Sequence, residues 1–356
     1  VGFLGSLEGP AQESIFRLVV VIVAALFVIT LVFAAYAFLL RLRHEARDRR
    51  RARYAAEWQH RLLLALGDDE EARALRASVR EDERLHFVGF AVLFARRLRG
   101  SERESLGRLV KPFLGPIAER ADARSLEVRA RAIQTLGMLG LPEHAGRVIA
   151  ALDDESALVA MVAARALALG EEPAYAQAVL SRLHRFTGWN RRFLASMLAS
   201  MGSSATATLR SALADPATEP RARAVAAEAL QIQGDIGAGD VAADVLMTSQ
   251  DKETLASTLR LVQEVGRPEH ITAVRMHAGS TDQAVRAHAL RALGVVGGEA
   301  EIPQLVAAMR DPSPWAALNA TEGLLAAGGA ALLAEMAASG DGVGVLARQV
   351  LAARSH

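Results

Sequence analysis

A histidine beside a glutamate can ligate a metal or relay a proton, and the chain carries that pairing at His44-Glu45, Glu143-His144 and Glu269-His270. The first falls in an arginine run. The other two have the acid first, each inside the tripeptide Pro-Glu-His at 142–144 and 268–270. They stand four units apart in the repeat described below, too distant to share one ion. Cysteine is absent, which excludes disulfides, thiolate nucleophiles, iron–sulfur clusters and cysteine-rich zinc sites. No phosphate-loop, dinucleotide-fingerprint, nucleophile-elbow or HExxH pattern occurs either. No catalytic, cofactor-binding or metal-binding residue is assigned, and the chain is expected to need no cofactor.

What remains is chemistry of recognition. The stretch SRLHRFTGWNRRF, 181–193, gathers Arg182, His184, Arg185, Trp189, Arg191 and Arg192 around a turn between helices. Tryptophan and arginine are the residue types most enriched at binding hot spots, so these six are candidate protein-binding residues. The competing reading is a solvated loop whose tryptophan packs between units. A second tryptophan, Trp315 in DPSPW, sits at a helix start and is expected to pack into the core.

Charge is unevenly distributed. The formal net charge is +1, yet Arg41, Arg43, Arg47, Arg49, Arg50, Arg51 and Arg53 crowd together against only Glu45 and Asp48. Residues 54–356 carry 33 basic and 36 acidic side chains. A slightly acidic body with 5% aromatic residues argues against a nucleic-acid partner.

Ahead of the arginines lies a run of 23 residues without a charge, Leu18 to Leu40, sixteen of them Leu, Ile, Val or Phe. A helix of that length rises about 34 Å, enough to cross a hydrocarbon core of roughly 30 Å. At about −0.3 to −0.6 kcal/mol each, those side chains favour insertion by roughly 5 to 10 kcal/mol. A signal peptide is the alternative: AYA at 35–37 mimics a cleavage site, but Glu8 and Glu13 precede the run and arginines follow it. The positive-inside rule places a short tail, 1–17, outside and everything after the transmembrane helix in the cytoplasm, as a single-pass protein of the inner membrane. The seven arginines are read as membrane-surface residues lying against lipid headgroups, or as a dock for an acidic partner or specific lipid.

The helices that position these residues announce themselves by repetition. VRARAIQTLGMLG at 128–140 returns as VRAHALRALGVVG at 285–297 with seven identities. Alignment on the closing glycine gives Gly140, Gly170, Gly202, Gly234, Gly266, Gly297 and Gly328, at intervals of 30 to 32 residues. A fixed period in this range marks stacked supersecondary units. Four positions before each glycine stand Leu136, Ala166, Leu198, Leu230, Val262, Leu293 and Leu324, the buried stripe of a helix that ends at a glycine able to turn left-handed. Upstream, Asp122, Asp153, Asp215, Asp251, Asp282 and Asp311 occupy the turn before that helix, where a carboxylate accepts from free N–H groups.

This pattern, VRxxAxxxLGxxG with an upstream aspartate, resembles the HEAT-like repeats of the phycobilin-lyase type over roughly residues 120–353. The resemblance implies an all-α fold: an α-solenoid of helical hairpins, here preceded by one transmembrane helix. It further implies that the arginine eleven positions before the glycine, present as Arg129, Arg191, Arg223 and Arg286, braces neighbouring units through the turn aspartate. The related deoxyhypusine hydroxylases hold two irons through paired His-Glu dipeptides, which this array lacks. Expected boundaries are 1–17 tail, 18–40 transmembrane helix, 41–66 basic helix, 67–121 degenerate repeats ending at Gly67 and Gly100, and 122–356 regular repeats with a terminal cap. The stretch LVKPFLGPIAERAD, 109–122, with two prolines, is expected to form a kinked first helix of the Gly140 unit. The functional expectation is a non-catalytic scaffold binding a membrane-associated protein partner, accessory to a membrane glycosyltransferase or envelope machinery. The alternative is a lyase-type enzyme or enzyme accessory acting on a chromophore or protein substrate.

Overall fold

The computed structural model describes the backbone of residues 10–95, 97–98, 100–170 and 172–354, and the side chains of these residues apart from 10–17, 42–56 and 354. The chain forms two compact units, residues 1–112 and 113–356. Both are helical, with no strand among the described residues.

The first unit is organised by α1 (Pro10–Gly67), which runs unbroken from before the apolar run through the arginine-rich segment. Within it, Leu18–Arg41 is long and apolar enough to cross a membrane, with a mean hydropathy of 3.2 and none of its surface buried by the protein. Past residue 56 the same helix turns amphipathic, and Trp58 and Leu62 are buried beneath α2 (Asp69–Ser78), α3 (Arg84–Ala95) and α4 (Gly100–Val110). Asp68 caps α2 by accepting from the Glu70 N–H at 2.7 Å. The Trp58 ring meets Phe87 edge-on at 5.2 Å, the favourable quadrupolar arrangement for two aromatic side chains. Gly67 closes a helix as expected. Gly100 instead opens one, with φ 54 at the first residue of α4.

In the second unit the first helices of the hairpins are α5 (Gly115–Arg120), α7 (Pro142–Ala150), α9 (Pro173–Leu180), α11 (Ser203–Ala214), α13 (Gly239–Thr248), α15 (Ile271–Arg275), α17 (Ile302–Ala308) and α19 (Ala330–Met336). The second helices are α6 (Leu126–Leu139), α8 (Ala157–Leu167), α10 (Arg191–Ala199), α12 (Pro220–Gln233), α14 (Lys252–Val265), α16 (Gln283–Gly297), α18 (Pro314–Ala326) and α20 (Gly342–Arg354). α6 packs on α8, and from α10 onward each second helix packs on the second helix of the next hairpin, giving the stacked layer of an α-solenoid. The unit begins at Phe113 rather than near residue 122, because Pro112 ends one helix and α5 belongs to the first hairpin by packing on α6.

The stripe four positions before each closing glycine is the core. All seven of its side chains, Leu136 to Leu324, are at most 5% exposed. Burying each leucine contributes about 1.5 to 3 kcal/mol relative to exposure. The glycines themselves divide. Gly140 and Gly234 cap α6 and α12 in the left-handed region, as expected. Gly170, Gly266 and Gly297 do not have positive φ. At Gly266 a Cβ would lie 2.4 Å from the Val262 carbonyl oxygen, so the requirement there is room. At the sixth hairpin the left-handed turn falls one residue later, on Gly298.

The bracing arginines also divide. Arg129 reaches forward to Asp154, Nε to Oδ2 at 2.9 Å and Nη2 to Oδ1 at 3.0 Å, and Arg286 does the same to Asp311 at 2.8 and 3.0 Å. These forked bonds tie one hairpin to the turn of the next. Arg223 instead donates to the Leu213 carbonyl, and Arg191 to glutamates in the two following hairpins. In the second hairpin the turn role passes from Asp153 to Asp154, which accepts from the Ser156 N–H at 2.8 Å. Asp251 and Asp282 cap α14 and α16 as read from the sequence.

Candidate functional site

The 181–193 connection is a short 3-10 turn, Leu183–Phe186, pinned by the buried side chains of Leu183 and Phe186. Three of its six candidate residues face inward along the array. Arg182 places Nε 2.9 Å from both carboxylate oxygens of Asp153, whose pKa is held below the usual range by that guanidinium. Arg185 donates to the Asp154 carbonyl, fastening the turn to the hairpin before it. Arg191 leaves the turn altogether for Glu228 and Glu253. Asn190 caps α10, accepting from the Arg192 N–H at 2.8 Å, and Arg221 supports the loop from beneath by donating to the Trp189 carbonyl at 2.9 Å. Facing solvent are His184, Arg192 and Phe193, with half-buried Trp189 stacked on Phe193 at 5.7 Å.

Of the seven arginines read from the sequence as membrane-surface residues, Arg41 is exposed at the end of the apolar stretch. The side chains of Arg43, Arg47, Arg49, Arg50, Arg51 and Arg53 lie outside the described residues. Glu269-His270 is structural: buried His270 accepts from the Arg267 N–H at 3.1 Å and bonds Asp240 through Nε2 at 3.0 Å. No group of three or more metal-ligating side chains occurs among the described residues.

A second polar constellation lies on the second-helix face, in the column six positions before the closing glycine. Ser196, Glu228, Arg260, Arg291 and Glu322 succeed one another there on α10, α12, α14, α16 and α18. Glu228, 3% exposed, accepts from Arg191 Nε at 2.7 Å and from Arg260 Nη2. Arg291 pairs with Glu322. His288, on α16, lies close enough to Arg260 and Arg291 to feel both charges. Burial pushes the His288 pKa down to about 4, and Arg260, Arg291 and Arg191 push it the same way. The Trp315 ring approaches that imidazole edge-on at 5.2 Å. Trp315 itself is 42% exposed, contrary to the core position expected, because the first turn of α18 leaves one side of the indole without a covering helix. Sequence reading passed over this column because each charged residue, taken singly, looks like part of a solvated face.

The imidazole supplies a pH test. Below its ordinary pKa of 6.5 the unfolded chain takes up a proton that folded His288 refuses until about pH 4. Its neutral form therefore favours the fold fully above pH 6.5, and that contribution is lost as pH falls from about 6.5 to about 4. The loss amounts to about 2 kcal/mol after allowance for partial exposure. Denaturant titrations of the detergent-solubilised chain and its His288→Asn variant at pH 7.5 and 4.5 will show the smaller acid-induced drop in the variant. Equal drops in both would remove His288 as a source of the pH dependence.

Residues 239–326 match the model of the HEAT repeat family, HEAT_2. No curated protein sequence matches the chain. Among solved structures, Kap121p bound to RanGTP is similar at 14% identity and a TM-score of 0.39, over 72% of this chain and 34% of that one. This chain thus spans about a third of the length of Kap121p. The complex of CpcE and CpcF of phycocyanin lyase from Nostoc sp. PCC7120 aligns at 15% identity and 0.27, over 74% and 94%. An engineered protein aligns at 18% and 0.26, over 82% of each chain.

Proposed function

We propose that the protein is a membrane-anchored scaffold: α1 seats in a bilayer through Leu18–Arg41, and the HEAT-repeat solenoid holds a protein partner at the membrane surface. The observation carrying this reading is the unburied apolar stretch of mean hydropathy 3.2 on the helix that also forms the core of the first unit. Water penalises such a surface heavily, and a bilayer relieves the penalty. The repeat supplies a long, regularly spaced face suited to protein binding, and the anchor raises the local concentration of whatever that face holds. The excess of arginines at 41–53 over acidic residues favours an orientation with the repeats in the cytoplasm of a single-pass inner-membrane protein and adds attraction to anionic headgroups. The partner is a membrane-associated protein, of the membrane glycosyltransferase or envelope-machinery class. His184, Trp189 and Arg192 form an edge available to it.

The test is a crosslinked pull-down of the full chain from its native membranes in mild detergent, read by mass spectrometry, beside alkaline carbonate extraction. The scaffold reading expects the chain to remain in the extracted membrane and to bring down one protein stoichiometrically, crosslinked to the repeats. A soluble chain with a mature N-terminus near Tyr36 contradicts the anchor. An intact anchored chain that brings down nothing contradicts the scaffold.

A further inference from the structure

One seam of the solenoid is built unlike the rest. Among the described residues, α8 and α10 are the one successive pair of second helices that do not pack on each other. The residue types agree with the packing. The second hairpin has Val159 where Arg129 and Arg286 brace their neighbours, and the 181–190 turn of the third hairpin carries no acid to receive a brace. That turn is ten residues long, against three to seven in the other hairpins, and α10 with nine residues is the shortest of the second helices. A longer turn and a shorter helix leave α10 short of α8.

What fills the seam is the turn itself. Leu183 and Phe186 are fully buried, and the Leu183–Phe186 turn touches both α8 and α12. It is held to the fourth hairpin by Arg221, which donates to the Trp189 carbonyl at 2.9 Å. Toward the second hairpin it extends Arg182, with Nη2 2.8 Å from Asp153 Oδ2, and Arg185, which donates to the Asp154 carbonyl and lies 3.6 Å from Asp153 Oδ1. The neighbouring braces stop at this line from both directions. The Arg129 fork ends on Asp154, and Arg191 ties α10 forward to Glu228 and Glu253. Each side is therefore cross-braced internally. Besides the α8–α9 connection, the seam is crossed by one apolar plug and two arginines that share the half-exposed Asp153. Ion pairs open to water are weak and are screened by salt.

We propose that the solenoid flexes at the seam between its second and third hairpins, the 181–190 turn acting as a strap whose Arg182 and Arg185, bonded to the turn of the second hairpin, hold the closed position. Hairpins one and two move as one body and hairpins three to eight as the other, with the strap riding on the second body through Arg221. Bending concentrates here because every other successive pair of second helices is close-packed and would have to open buried apolar contacts to move. His184, Trp189 and Arg192 lie on or beside the same turn, so a protein seated on that edge and favouring one position of the strap would shift the bend. The joint belongs to the chain alone, and a pull-down that recovers no partner leaves it standing.

The absence of cysteine allows spin labels to be placed at chosen sites of the full chain in detergent micelles. One labelled pair, Gln134→Cys with Ile232→Cys, spans the seam. A second, Ile232→Cys with Ala326→Cys, spans as many hairpins without it, and all three positions are exposed. Pulsed electron resonance reads both distance distributions in about 0.1 M and about 1 M potassium chloride, between which the screening length falls from about 10 to about 3 Å. The same is done with Arg182→Ala and Arg185→Ala combined. The expected result is that salt and the double variant each shift or broaden the 134–232 distribution by about 4 Å or more, while the 232–326 distribution stays as it was. That displacement is what a rotation of about 15° gives over one and a half helix spacings of roughly 10 Å. A 134–232 distribution that neither change moves overturns the strap, and equal movement of both pairs overturns the joint, since the whole array then yields. Circular dichroism reports whether the double variant keeps its helix content. If it does not, the salt comparison on the parent chain decides alone.

Discussion

Gly294→Ala will unfold at markedly lower denaturant than the parent chain, with a loss of about 3 kcal/mol or more. The position lies on α16 three residues before its closing glycine and faces α18. A Cβ there would lie 1.9 Å from the Gly323 carbonyl oxygen and 2.4 Å from its carbon. Overpacking against a side chain can be relieved by a rotamer change, whereas overpacking against backbone cannot. The two helices would have to separate along their contact, opening gaps around Leu290, Leu293 and Leu324, which are at most 1% exposed. Gly323→Ala meets the Leu290 carbonyl oxygen at 2.5 Å and should cost a comparable amount. Chemical denaturation followed by circular dichroism checks both. A Gly294→Ala chain within 1 kcal/mol of the parent, on the order of the alanine's own helix preference over glycine, would mean that the seam is not close-packed.

Glu228→Gln is the second large effect expected. This carboxylate is 3% exposed and receives Arg191 and Arg260 from the hairpins on either side. Glutamine keeps the shape and loses the charge, which leaves half-buried Arg260 beside Arg191 without a carboxylate of its own. Burial already pulls the Arg260 pKa below its ordinary value, and Glu228 opposes that pull. Removing one partner of a buried ion pair typically costs 3 to 5 kcal/mol, so about 3 kcal/mol is expected, Arg191 retaining Glu253 as a partner. The double variant Glu228→Gln, Arg260→Met should recover a large part of that loss, since it removes the stranded charge as well. If the double variant is as unstable as the sum of both single ones, the charge is not what Glu228 contributes.

The sequence carried the architecture in a form that could be counted. A period of 30 to 32 residues and one apolar column sufficed for the hairpins, and Leu136 to Leu324 are buried accordingly. The shared LGxxG looked like one signal and is two. The first glycine, at 137 and 294, allows close approach, a Cβ at Gly137 falling 2.2 Å from that of Ala166, and the second ends the helix. One-dimensional spacing cannot separate these reasons, because both ask only for a missing side chain. The six residues at 181–193 were singled out for composition, but composition does not say where a long side chain points. Arg182 and Arg185 turn back to the preceding hairpin and Arg191 forward to the next two. The charged column from Glu228 to Glu322 was legible in the same alignment and needed to be read down the column rather than along the chain. Its pairing was not legible, since neither the sharing of Glu228 by Arg191 and Arg260 nor the pairing of Arg291 with Glu322 follows from residue types.

The unbroken hydrogen bonding of α1 bears on direction as well as distance. From Arg41 to Trp58 the helix rises about 25 Å, and each residue turns it by about 100°. With the apolar stretch seated in a bilayer, α1 acts as a keyed shaft: the number of residues between the two points sets the compass bearing on which Trp58 and Leu62 meet their hairpins. One residue added at 42–56 would swing that seat about 100° around the membrane normal, while seven would return it to within about 20° of its bearing and raise it by about 10 Å. On the proposed anchoring, height above the membrane and the heading of the first unit are therefore geared together, and in this stretch chain length rather than side-chain identity fixes both.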